Sequence, residues 1–171
     1  NQLGTMGTIK KVIFDAVYIY RIIDSVQSIL KVGGYNNNVS VICDVDESII
    51  VLGDQVLLEQ AILNLALNGL DAISTSDNPV LEFHVYSIGL TKVVIDIKDN
   101  GVGVLDSDKQ LLFDPFFTTK SSGTGLGLSI VFQIITDHQG KIYVLDNDPR
   151  GAIFRIELPQ LLRPVLDRGL E

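Results

Sequence analysis

The chain has 171 residues, 46% of them hydrophobic, which suffices for one well-cored domain but not two. Its 13 Lys and Arg against 21 Asp and Glu give a net charge of −8, which argues against non-specific binding to nucleic acid or anionic membranes. With Cys43 as its one cysteine it can form neither an intrachain disulfide nor a cysteine zinc cluster, and no apolar run is long enough to span a bilayer, so a soluble domain in a reducing compartment is expected.

Taken in order, residues 1–8 are small and polar and read as linker. A short strand is predicted over 11–15 and a helix over 16–32, where Val17, Ile19, Ile22, Ile23, Val26, Ile29 and Leu30 recur at helical spacing up to Gly33 and Gly34. Residues 39–45 alternate as a strand, with Val39, Val41, Cys43 and Val45 on one face and Cys43 expected as core filler. A second strand follows at 49–52. A long helix is then predicted from Asp54, a suitable cap, to about Thr75.

That helix has two faces. Val56, Leu57, Leu63, Leu67, Leu70 and Ile73, with Ala61 and Ala66, make it largely apolar, whereas Gln60, Asn64, Asn68 and Asp71 recur on one stripe. An unpaired buried amide costs roughly 1–3 kcal/mol, so the stripe must meet water, protein groups or a ligand. By itself it fits a solvent-facing stripe equally well.

Strands at 80–87 and 92–98, joined around Gly89, form a predicted hairpin. Residues 99–123 lose periodicity and gather Gly, Pro and Phe, a loop longer than a simple connection needs. A second apolar helix is predicted over 125–138, then strands at 141–146 and 152–158, and an irregular tail from Pro159.

Three stretches of the second half carry chemistry. Val93, Ile95 and Ile97 share a strand face, and the period of two carries it to Asp99, whose carboxylate is thereby aimed inward. Gly101 and Gly103 follow without side chains, leaving room for a flat ligand whose amine a carboxylate can hold; an ordinary Asp-Asn-Gly turn is the plain alternative. Gly123-Thr124-Gly125-Leu126-Gly127-Leu128 then runs into a helix, an arrangement of amides and helix dipole that suits phosphate, with a flexible hinge as the alternative. Between them lie Phe113, Phe116 and Phe117, which could pin the loop to the core, and Lys120, three residues before the glycines and within reach of a phosphate or simply exposed.

Asn64 and Asn68 in a helix, Asp99-x-Gly101-x-Gly103, Phe113-Asp114-Pro115-Phe116-Phe117 and Gly123-x-Gly125-x-Gly127 follow one another in the order of the N box, first glycine box, F box and second glycine box. Over residues 9–159 the chain resembles the catalytic ATP-binding domain of bacterial two-component sensor histidine kinases, in the GHKL superfamily, with residues 160–171 as a C-terminal tail. The resemblance implies a Bergerat fold: a two-layer α/β sandwich of a mixed sheet of about five strands backed by about three helices. It implies ATP and Mg²⁺ as ligands, with Asn68 on the metal and Asn64 lining the same site. Asp99 would hold the adenine amine, with Gly101 and Gly103 shaping its pocket. Gly123, Thr124, Gly125, Leu126, Gly127 and Leu128 would wrap the phosphates, and Asp71, Phe113 and Lys120 complete the nucleotide contacts. Asn64 and Lys120 are the residues it implies for catalysis.

The resemblance further implies partners: a histidine-bearing dimerisation domain of the same parent protein and a response regulator, with a dimeric, membrane-bound parent, a cytoplasmic location for this domain and a monomeric state for it alone. Neither His84, on the outward parity of a strand, nor His138, at a helix end, is followed by the acidic residue usual after a phosphoacceptor, and both are expected to be structural. Two positions depart from the family pattern: Gln139 stands where glycine is usual, and Gly69 where alanine is. The alternatives are a stand-alone GHKL serine kinase of the anti-sigma type, a GHKL ATPase, in which a glutamate usually takes the place of Asn64, and a non-catalytic nucleotide-binding module.

Overall fold

The computed structural model describes residues 14–35, 37–117 and 127–162. Strand β1 (Asp15–Tyr18) leads into helix α1 (Ile19–Val32), followed by β2 (Ser40–Val45), β3 (Ile50–Gly53) and helix α2 (Gln55–Ala72). The hairpin β4 (Val80–Ile88) and β5 (Lys92–Asp99), a short helix α3 (Asp106–Lys109), helix α4 (Gly127–Asp137), and the strands β6 (Lys141–Asp146) and β7 (Ala152–Pro159) complete it. Five strands form one mixed sheet in the order β2-β4-β5-β7-β6, parallel only between β2 and β4, and β1 pairs with β3 in a separate antiparallel ribbon. This is the expected α/β sandwich, with α1, α2 and α4 as its helical layer.

Alternation builds the sheet side of the core. Leu81, Phe83 and Val85 of β4, Val93, Ile95 and Ile97 of β5, and Phe154, Ile156 and Leu158 of β7 are all buried. Helix α2 lies between α1 and α4 over this surface and buries Leu58, Ala61, Ile62, Leu65, Ala66 and Gly69. Asp54 caps it, its Oδ1 accepting from Leu57 N at 3.1 Å.

Five expectations need correction. The segment 16–18 is strand rather than helix: Val17 fits either period, and antiparallel pairing with Val51 decides in favour of β1. Val56, assigned to the apolar bulk of the central helix, is 68% exposed, and Leu58, Ile62 and Leu65 do its packing. Cys43 has the right parity, opposite buried Phe83, but β2 is an edge strand and leaves it exposed. A short helix, α3, interrupts the long loop, and strand β7 runs one residue past the predicted end to Pro159.

The outer face of the sheet carries an ion pair at its centre. Asp96, on the central strand, is 1% exposed and takes both Nε and Nη2 of Arg155 at 2.8 Å, which holds the guanidinium charged far above the ordinary range. His84 is half-buried on the same face, 3.7 Å from Glu82 and 3.9 Å from Asp44. His138, by contrast, is buried between helices: Nδ1 lies 2.7 Å from Ile134 O, which makes it the donor, and Nε2 accepts from Asp54 N at 3.0 Å. One imidazole thus joins the end of α4 to the start of α2, and Phe14 packs on it at 4.9 Å. Just beyond it, α4 closes with Gln139 N on Thr136 O and Gly140 N on Ile135 O, both 2.9 Å, and Gln139 takes φ 59°.

Candidate functional site

The polar stripe of α2 comes first. With α1 and α4 on its flanks and the sheet beneath, the helix has one side left, and there Asn64 and Asn68 are half-buried while Gln60 and Asp71 are exposed. The stripe therefore faces outward beside the core.

Asp99 stands at the carboxyl end of β5, 3% exposed, with the inward aim that its strand parity dictates. Its Oδ1 accepts from Gly101 N at 2.9 Å and Ala152 N at 3.3 Å, while among the described residues Oδ2 accepts no hydrogen bond. Burial pushes the carboxyl above its ordinary range, and the two amides pull it partly back. An oxygen left free on a buried carboxylate is an acceptor for a ligand donor.

Gly69 explains how α2 meets this group. A Cβ placed there would stand 2.9 Å from Leu81 Cδ1 and 4.0 Å from Asp99 Oδ2. The helix thus passes the carboxylate with bare backbone, one residue after Asn68. Gly101 has no room for a side chain because the Ala72 carbonyl occupies that space. Gly103, at φ 75°, makes the reverse bend in the left-handed region.

The F box divides. Phe113 packs at 5.9 Å on Phe132 and 6.4 Å on Phe154, and Phe117 packs against the core, so both pin the loop. Phe116 is 74% exposed, with φ 67°. Gly127 and Leu128 open α4, Leu128 half-buried. Lys120, Gly123, Thr124, Gly125 and Leu126 lie outside the described residues. A cavity of about 680 Å³ is bounded by residues that include Val104, Leu105, Asp108, Leu112, Asn147 and Arg150. None of Asn64, Asn68 and Asp99 lines it.

Sequence reasoning missed the groups that hold Asp99 in place. Ala152 acts through its backbone amide, which no side-chain pattern discloses, and Asn147 and Arg150 lie in a turn legible only as a turn. Asp96 and Arg155 could have been found, since each is a charged residue flanked by apolar neighbours in a largely apolar strand, which is unusual.

The family model described as histidine kinase-, DNA gyrase B-, and HSP90-like ATPase matches residues 53–162. The signal transduction histidine-protein kinase AtoS of Escherichia coli is 35% identical over 144 residues, which cover 84% of this chain and 23% of AtoS. The chain thus spans under a quarter of the length of that relative. Among solved structures, the nucleotide-free catalytic domain of histidine kinase ThkA matches at a TM-score of 0.77 with 30% identity, covering 86% of this chain and 98% of that one. ThkA in complex with the response regulator protein TrrA matches at 0.75 with 25% identity, covering 94% of this chain and 46% of that one.

Proposed function

The chain belongs to the family of histidine kinase-, DNA gyrase B- and HSP90-like ATPases, as the ATP-binding catalytic domain of a histidine kinase, and from that premise we propose how its residues divide the work. The domain binds ATP with adenine against Asp99 and the phosphates toward Asn64, Asn68 and the glycine-rich entry to α4. It donates the γ-phosphoryl group to a histidine on a separate dimerisation domain of a longer parent, from which a response regulator receives it.

The observation that carries this reading is the buried Asp99, with one oxygen held by two backbone amides and the other free. Such a carboxylate accepts a hydrogen bond from the 6-amino group of adenine and is repelled by a carbonyl in its place. Gly69 brings bare helix backbone past it, and Gly101 and Gly103 let the chain after it turn closely against Ala72 and Gly151. Asn64 and Asn68, one turn apart on α2, bring amide groups to the phosphate end. A glutamate in place of Asn64 would activate water; an amide is a poor base, which favours transfer to a protein acceptor over hydrolysis.

The same residues fit Mg²⁺. Amide oxygens are hard ligands, and two of them leave most of the shell to water and phosphate, as Mg²⁺ prefers. Asn68 would hold the metal, with Asn64 beside it; when bound, the ion neutralises phosphate charge. The protein's part is positioning, which is most of what phosphoryl transfer asks of it. Lys120, Gly123, Thr124, Gly125 and Leu126 complete the phosphate site in this reading, with Gly127, Leu128, Asp71 and Phe113 at its margins. The parent is a membrane-bound dimer with this domain on its cytoplasmic side; no helix among the described residues is long and apolar enough to cross a membrane.

Calorimetric titration of ATP with and without Mg²⁺ tests this on the native chain, Asp99→Asn and Asn68→Ala. Nucleotide binding should be lost in Asp99→Asn, and its magnesium dependence in Asn68→Ala. A folded native chain that binds no ATP overturns the reading.

A further inference from the structure

We infer that the turn between β6 and β7 is a positioning clamp for the base-reading carboxylate, with Asn147 and Arg150 setting the preference for a 6-amino over a 6-oxo purine. The inference rests on Asp99 as the group that takes the adenine amine.

The clamp is built from four contacts reaching across 48 to 53 residues of sequence. Asn147 Nδ2 donates to Asp99 O at 2.8 Å, and Arg150 Nε donates to Gly101 O at 2.9 Å, so one turn grips the glycine turn on either side of Asn100. Ala152 N donates to Asp99 Oδ1 at 3.3 Å. Gly151, at φ 106°, lies so close that a Cβ on it would overlap the Asp99 carbonyl. Asn147 is itself fixed: its Oδ1 accepts from Asp148 N at 3.0 Å and its own amide donates to Gly151 O at 3.0 Å. From the other flank, Asn100 accepts from Val80 N at 2.8 Å and donates to Asn78 O at 2.7 Å.

The chemistry follows from which oxygen is spoken for. Two amides hold Oδ1, so the carboxylate cannot rotate about its Cβ–Cγ bond without breaking both, and Oδ2 alone is offered to the ligand. An amine there donates; a carbonyl sets two acceptors face to face, and a site built to bond one of them rejects the other. That discrimination depends on orientation as much as on the presence of a carboxylate. Loosening the turn lets Asp99 and Gly101 relax, and a carboxylate free to rotate or take up water tolerates either base.

Binding of ATP and of inosine triphosphate, its 6-oxo counterpart, is measured by calorimetry for the native chain, Asn147→Ala, Arg150→Met, Arg150→Lys and Asp99→Asn, with a thermal melt of each. The preference for ATP should fall about 3- to 10-fold in Asn147→Ala and Arg150→Met, the worth of one hydrogen bond, with inosine triphosphate binding little changed. Arg150→Lys keeps a donor and should recover part of it. Arg150 is exposed, so its variants leave the core untouched and fold even where Asn147→Ala does not. A native chain that does not distinguish the two nucleotides overturns the Asp99 assignment. A native chain that does, with the ratio unmoved in the Arg150→Met variant, overturns the clamp alone.

Discussion

Replacing Gln139 with glycine should stabilise the domain. Gln139 is the left-handed residue of the closure that ends α4, φ 59°, with its N–H on Thr136 O and the next on Ile135 O. The left-handed region costs a residue with a Cβ roughly 1–2 kcal/mol. Glycine escapes that but surrenders about 0.5–1 kcal/mol of extra chain entropy on folding. The difference predicts a net gain of about 0.5–1 kcal/mol, or a melting temperature higher by about 1–4 °C for a domain of this size. Urea unfolding reads it as a higher midpoint at unchanged slope. Gln139→Ala is the control: it keeps the strained backbone, deletes an exposed side chain, and should change stability by less than about 0.5 kcal/mol. If Gln139→Gly brings no gain, or Gln139→Ala loses as much as the glycine should win, the Gln139 side chain offsets its backbone and the reasoning fails.

Asp99→Asn should raise the melting temperature of the nucleotide-free domain near neutral pH. Burial raises the folded carboxyl's pKa, so its contribution to stability is complete below the unfolded value and is lost as pH rises through the folded one. The asparagine keeps an acceptor for Gly101 N and Ala152 N, and its advantage should shrink as pH falls below about 4, the ordinary aspartate value; a pH-independent difference between the two melting curves would contradict this. Asp96→Asn strips a buried carboxylate from Arg155, whose side chain is 28% exposed. Exposure lets water recover part of the loss, so about 2–3 kcal/mol should disappear in urea unfolding, and a loss under 0.5 would show the pair to be idle.

Much of the fold was legible because β4 and β7 alternate in burial and because glycine, proline and asparagine mark the turns. Strand parity alone aimed Asp99 inward, and spacing alone put Asn64 and Asn68 on one stripe. Legibility failed where local pattern was neutral and partners were distant. Val17 suits strand or helix until Val51 pairs with it. The parity of Cys43 was right, but no local signal shows that β2 has a neighbour on one side only. The clamp was illegible because its grip is on backbone atoms: Asn147 and Arg150 read as turn residues, and the carbonyls they hold have no letter in a sequence. The departure at Gln139 was visible only against a family pattern, and its backbone strain only in coordinates.

The two flanks of the domain are tied to one short strand. β1 pairs along β3, and on the far side of β7, Leu161 N bonds to Ile50 O at 2.9 Å. Asp99 lies at the opposite end of β5, 7 residues from Lys92, or about 24 Å at strand rise. A pull on either flank arrives at the same short strand, about 24 Å from the Asp99 end. From there to the Asp99 end the path runs through paired strands, β7 against β5, so load at either flank reaches that end through backbone hydrogen bonds.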